Sequence, residues 1–209
     1  MITNILFYSI LIATIGISYH GFNNQDFFRR YMFNVRSVQK GDYLRLLSSG
    51  FLHAGWEHLI FNMISLFFFH RIIIYEMGAS VFMLIYLGAI VFGNLFCLYI
   101  YRHKPYYSAI GASGGVSGII FAAIALMPQL RVNFMPGWLF GAIYFGYSVY
   151  QMLNPRQGDN IGHAAHLGGA IFGIVVIAFL QPLLIAENAL YLGIMALPLG
   201  YMGYRLLQK

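Results

Sequence analysis

Two serines and two histidines stand at the starts of apolar segments, where such side chains are costly. Ser113 and Ser117 lie in GASGGVSG, residues 111–118, and His163 and His166 open a second run. A serine hydroxyl becomes a useful nucleophile when a base lies within hydrogen-bond reach, roughly 2.6–3.2 Å. Neutral imidazole suits that task because it titrates near working pH. A third stretch, HAGWEHLIFN at 53–62, brings His53, His58 and Asn62 to the start of another apolar run. Glu57 is the only carboxylate near this depth, so a Ser-His dyad is more natural than a full triad. A developing oxyanion would find donors in His58, Asn62 and the backbone N–H groups around Ser113 and Gly114.

These residues need a scaffold, and composition says which kind. The chain has 209 residues, 60% of them hydrophobic, 18% aromatic and only 9% charged, with a mean hydropathy of +0.71. A soluble domain carries about 25% charged residues. Lipid must therefore cover the surface, and the chain reads as an integral membrane protein. Its net charge of +6 comes from Lys and Arg scattered between apolar runs. That pattern reads as interfacial anchoring, not nucleic-acid binding. Residues 2–19 are uncharged and lack a basic leader or small-residue cleavage site, so they read as a retained span. The single cysteine, Cys97, reads as a buried apolar residue.

A spanning helix needs roughly 20 mostly apolar residues. The candidates are Ile2–Tyr19, Leu52–Tyr75, Met77–Tyr101, Ser108–Leu130, Gly137–Leu153, Ile161–Leu184 and Asn188–Tyr204, the last interrupted by Pro198. Residues 20–51 form the one long connection. Its FFRRYMF stretch reads equally as a segment along the bilayer surface and as an ordinary solvated loop.

The even-numbered spans all cross in the same direction. His58 and Asn62, Ser113 and Ser117, and His163 and His166 each lie early in one of them, so all six share a leaflet. At about 1.5 Å per residue, Ser113 and His166 lie roughly 8–9 Å inside their span starts. The Gly111–Gly115 and Gly114–Gly118 pairs, and the Ala165, Gly169, Gly173 stripe, would let spans four and six approach closely. Intramembrane polar residues usually face a bundle interior or a wet cavity, and here they converge on one.

GASG at 111–114, HLGG at 166–169 and HAGWEHLIFN at 53–62 together resemble the rhomboid intramembrane serine proteases. The resemblance covers about residues 1–185. It implies an all-α polytopic membrane helix bundle: a six-helix core over 1–185, then an additional C-terminal transmembrane helix and tail over 186–209. It also implies an endopeptidase that cleaves transmembrane segments of membrane proteins through an acyl-enzyme, in contact with lipid and without a cofactor. Ser113 resembles the nucleophile and His166 the general base. His58, Asn62 and Gly114 resemble the oxyanion site. His53, Arg45, Gly111, Gly169 and Gly173 take structural places, Arg45 as the arginine of a Trp-Arg pair in the first loop. Leu44 stands where that tryptophan is usual, and Ser117 where many members carry an aromatic that stacks on the histidine. His163 reads as a cavity-mouth or merely interfacial residue. Phe140, Gly141, Phe145 and Gly146 of span five read as packing residues or as a substrate gate.

Two other readings compete. One is a non-catalytic relative that grips transmembrane helices. The other is a metal site built on His53, His58, His163 and His166, although no HExxH motif occurs and Ser113 would go unused. The family pattern turns the cavity outward, in a bacterial plasma membrane. The positive-inside rule points the other way: on that model only Arg71 and Arg131, of twelve Lys and Arg, face inward.

Overall fold

The computed structural model describes residues 2–155 and 162–208. Arg156, Lys209 and the expected sixth-span start at Ile161 lie outside the described residues. An apolar helix α1 (Ile2–Asn23) leads into four short elements: α2 (Gln25–Tyr31), strand β1 (Phe33–Asn34), α3 (Val35–Gln39) and α4 (Arg45–Ser48). A 3₁₀ turn over Ser49–Phe51 then precedes α5 (Trp56–Met77) and α6 (Ala79–Ile100). Gly78, at φ +87°, is the single residue between those two long helices, a backbone conformation that glycine alone adopts without cost. Strand β2 (Ser108–Ala109) precedes α7 (Ser113–Leu126). The hairpin β3 (Arg131–Val132) and β4 (Met135–Pro136) leads to α8 (Gly137–Leu153), and α9 (His163–Leu180), α10 (Pro182–Glu187) and α11 (Ala189–Leu207) complete the chain.

Five of these helices are long and apolar enough to cross a bilayer: α1, α5, α6, α9 and α11. Phe61, Phe68, Phe179 and Leu197 are exposed on their outer faces, as a lipid-covered surface requires. The chain is a multi-pass, all-α membrane protein. Pro198 does not interrupt the last helix, which runs through it. Proline inside a membrane helix removes one backbone bond without breaking the helix when neighbours support the freed carbonyl.

The later part of the first loop packs into the protein, whereas α2, which carries FFRRY, has no buried residue. Phe33, Val35, Val38 and Leu46 are buried in the common core. Arg45 is buried too; its Nε donates to Asp42 at 2.8 Å, and its guanidinium also donates to the carbonyls of Arg29 and Met32, both at 2.8 Å. One of the loop's cations is thus neutralised and used as internal glue. Leu44 beside it is exposed.

Helix α7 is the centre of the molecule, with 12 of its 14 residues buried. It is also short. At about 1.5 Å per residue it spans only about 21 Å of a roughly 30 Å hydrocarbon core. The expected span from Ser108 is corrected here, because residues 108–112 are not helical and α7 begins at Ser113 itself. Gly111 has φ +116° and its N–H donates to the Ser49 carbonyl at 3.0 Å, while β2 pairs with β1 of the first loop. The chain approaches α7 extended, held by the loop, and only then coils.

Glycines let α9 press against α7. A Cβ on Gly169 would fall on the carbonyl of Gly114, and one on Gly173 on that of Gly118. A backbone carbonyl cannot rotate away as a flexible side chain can. Gly169→Ala and Gly173→Ala are therefore expected to lose about 1–3 kcal/mol or more, seen as a lowered melting temperature in detergent. Gly193→Ala, where nothing lies within 4 Å, should leave stability unchanged or raise it.

Candidate active site

The α7–α9 contact sets the geometry of the Ser113 and His166 side chains. Ser113 is the first residue of α7, and His166 lies one turn into α9. Their side chains meet: Ser113 Oγ is 2.6 Å from His166 Nε2. For serine to donate, the neutral imidazole must carry its own proton on Nδ1. Both residues are half-buried.

His58 lies across from this pair. Its Nδ1 accepts the Ala54 N–H at 3.5 Å, which leaves Nε2 to carry the proton. Gly111 separates His58 from Ser113. The position its missing Cβ would occupy is 2.9 Å from His58 Nε2 and 3.6 Å from Ser113 Oγ. A small space flanked by a hydroxyl and an imidazole N–H is kept open because residue 111 has no side chain. The first turn of α7 adds backbone donors. A helix's first N–H groups have no intrahelical acceptor, and Val116 N–H, bonded to Ala112 O at 2.9 Å, already belongs to the regular ladder. Gly114 is packed under the carbonyl of Ala165. Asn62 is buried one turn below His58 and donates to the His58 carbonyl at 2.8 Å, so one of its two amide protons is already used.

His53 is fully buried and has both ring nitrogens engaged. Nε2 accepts the Ala112 N–H at 3.2 Å, so Nδ1 carries the proton and donates to Ser18 Oγ at 2.8 Å; the Ser18 hydroxyl in turn donates to the Phe51 carbonyl at 2.8 Å. The relay ties α1, the first loop and the turn before Ser113 together, and leaves His53 no lone pair for a metal. His53 also touches His58, with ring centroids 4.9 Å apart.

A cavity of about 910 Å³ opens beside the pair, lined among others by Trp56, His58, Ile110, Gln151 and His163. Ser113 and His166 are not on its wall, which ends at the neighbouring Ile110 and His163. His163 is buried and lines this cavity, edge-on to Tyr147 at 5.5 Å and to His166 at 6.3 Å. Of the span-five residues, Phe145 is buried and stacks on Phe121 at 4.4 Å, and Gly141 makes room for Met195 of α11. Tyr144, which spacing did not single out, lies against both Ser117 and His166.

The Rhomboid domain family model matches residues 40–183. The chain is 28% identical over 186 residues to RHOMBOID-like protein 12, mitochondrial, of Arabidopsis thaliana, covering 77% of this chain and 54% of the relative. It is 31% identical over 140 residues to "Putative rhomboid protease YdcA" of Bacillus subtilis (strain 168), covering 66% and 68%. Presenilin-associated rhomboid-like protein, mitochondrial, of Homo sapiens is 32% identical over 143 residues, or 64% of this chain and 37% of the human one. The chain belongs to the rhomboid family. It spans about half the length of the Arabidopsis relative and less of the human one.

Burial first, and the adjacent His58 second, push His53 down to about 3 from 6.5. Unfolded, His53 takes up a proton as pH falls through 6.5; folded, it resists until near 3. The folded state therefore loses stability as pH drops below 6.5. The melting temperature in detergent is expected to fall over that window, and to fall less steeply in His53→Ala, whose starting stability is lower because the Ala112 N–H loses its acceptor.

Proposed function

We propose that the chain is an intramembrane serine endopeptidase that cleaves transmembrane segments of membrane proteins. The observation that carries this reading is the 2.6 Å hydrogen bond between Ser113 Oγ and His166 Nε2 at the start of the apolar helix α7. Family membership and the name of the Bacillus relative support it.

Ser113 Oγ attacks a peptide carbonyl of the substrate while His166 Nε2 takes its proton. The oxyanion forms beside Gly111 and takes hydrogen bonds from His58 Nε2–H, the first-turn N–H groups of α7 at Ser113 and Gly114, and the second amide proton of Asn62. Collapse of the tetrahedral intermediate breaks the C–N bond, and His166 returns the proton to the leaving amine. Water from the cavity then attacks the ester, with His166 again the base, and releases Ser113. No cofactor takes part. A stable helix hides its carbonyls in its own hydrogen bonds, so the substrate must unwind locally. Cleavage therefore favours small or helix-weakening residues near a membrane face. The host membrane is proposed to be the plasma membrane of a bacterium, as the Bacillus relative suggests, although other relatives carry mitochondrial names.

A labelled single-span reporter in detergent or liposomes tests the reading. Ser113→Ala and His166→Ala should each lower the cleavage rate by about three orders of magnitude or more, while Ser117→Ala keeps a substantial rate. Undiminished cleavage by Ser113→Ala, or none by wild type across diverse reporters, would sink the protease reading and favour a helix-gripping relative.

A further inference from the structure

Ser113, Ser117 and Phe121 are spaced four apart and stand on one face of α7, a turn from one to the next. Ser113 meets His166. Ser117 is buried, and its Oγ lies 3.0 Å from the Tyr144 hydroxyl. Phe121 lies against the Tyr144 ring, with centroids 5.2 Å apart and planes at 53°. Phe140, one turn earlier on α8, supports the same ring at 5.9 Å. Tyr144 is thus held at its tip and along its ring.

That ring faces the imidazole of His166. The two planes are 28° apart with centroids separated by 6.4 Å, inside the roughly 4.5–7 Å range of interacting aromatic pairs. His163 meets the imidazole edge-on from another side. The torsion that turns an imidazole about its Cβ–Cγ bond is broad and soft, yet a hydrogen bond from a hydroxyl weakens steeply as it bends. An imidazole anchored through one nitrogen alone would sweep Nε2 off Ser113.

We infer that Tyr144 is a positioning residue: pinned by the Ser117 hydroxyl and bedded on Phe121, it holds the His166 ring where Nε2 accepts from Ser113. The inference rests on the proposed serine-nucleophile chemistry. It gives the second serine of GASGGVSG a task one step removed from the reaction. It also couples α8 to the reacting pair, because Tyr144 is the α8 residue that touches both Ser117 and His166. Displacing α8 would move the ring that fixes the base.

The test uses the 209-residue chain in detergent and an alkyl fluorophosphonate small enough to bypass substrate entry. Attack by Ser113 Oγ forms the O–P bond and expels fluoride, with the serine proton passing to His166. Labelling rate is measured with kcat and KM on the single-span reporter, and folding is checked by thermal melting. In Tyr144→Leu, labelling rate and kcat should fall together, by about 10- to 100-fold, with KM changing little. Tyr144→Phe keeps the ring and should lose only a few-fold. Ser117→Ala removes the same hydrogen bond, so it should match Tyr144→Phe, and the double variant should be no worse than either. That cycle stands even if Tyr144→Leu fails to fold. Labelling of Tyr144→Leu at the wild-type rate, whether or not reporter cleavage falls, overturns the inference, as does an additive double variant. A wild type that does not label, or Ser113→Ala labelling equally fast, overturns the nucleophile assignment itself and this inference with it.

Discussion

The structure depends on one contact that side chains would forbid. Helices α7 and α9 touch backbone to backbone at Gly114–Gly169 and Gly118–Gly173. Lipid offers no hydrophobic drive between helices, so close van der Waals approach must hold them together. The same approach brings Ser113 and His166 together. A serine and a histidine side chain are short, and they meet at 2.6 Å only because the two helix axes are drawn together. Helix packing and the Ser113–His166 contact are set by the same glycines.

A second constraint fixes where α7 begins. Gly111 turns the chain, its N–H goes to Ser49, the next N–H goes to His53, and Asn94 of α6 clamps Ser49 Oγ at 2.9 Å. Every donor in the turn before Ser113 that these bonds describe is held by the first loop or its neighbours. The loop that composition left ambiguous is therefore a support for the site. Arg45 does the same for the loop, exchanging a solvated charge for three internal acceptors. A buried arginine is tolerated when its charge is paired and its donors are used, and both conditions hold.

Much of the site was legible because membranes impose depth. Parity of the spans placed Ser113, His58 and His166 in one leaflet, and the small-residue stripes indicated which helices touch. The start of α7 was not legible. A hydropathy run does not distinguish helix from extended chain, and what stops the helix at Ser113 is a set of bonds to residues about sixty positions away. His163 is buried by the edge of Tyr147, a contact no spacing within α9 reveals. Tyr144 escaped notice for a similar reason. It lies mid-helix on a span that crosses in the opposite direction, among aromatics that look like ordinary packing. One signal was present: Ser117, buried on the inner face of α7, required a partner, and among the aromatics of span five Tyr144 has the hydroxyl that reaches it. Pro198 misled in the other direction, since in lipid a proline need not end a helix.

The most direct test of the Ser113–His166 pair is to trap the covalent intermediate it should form. A single-span reporter is mixed with the wild-type protein, quenched in acid within one turnover, and the protein digested for mass spectrometry. The expected result is the reporter's N-terminal fragment joined as an ester to the peptide that carries Ser113, and absent from the Ser113→Ala protein. Cleavage with the fragment attached elsewhere, or the same adduct on Ser113→Ala, would contradict the assignment of nucleophile and base.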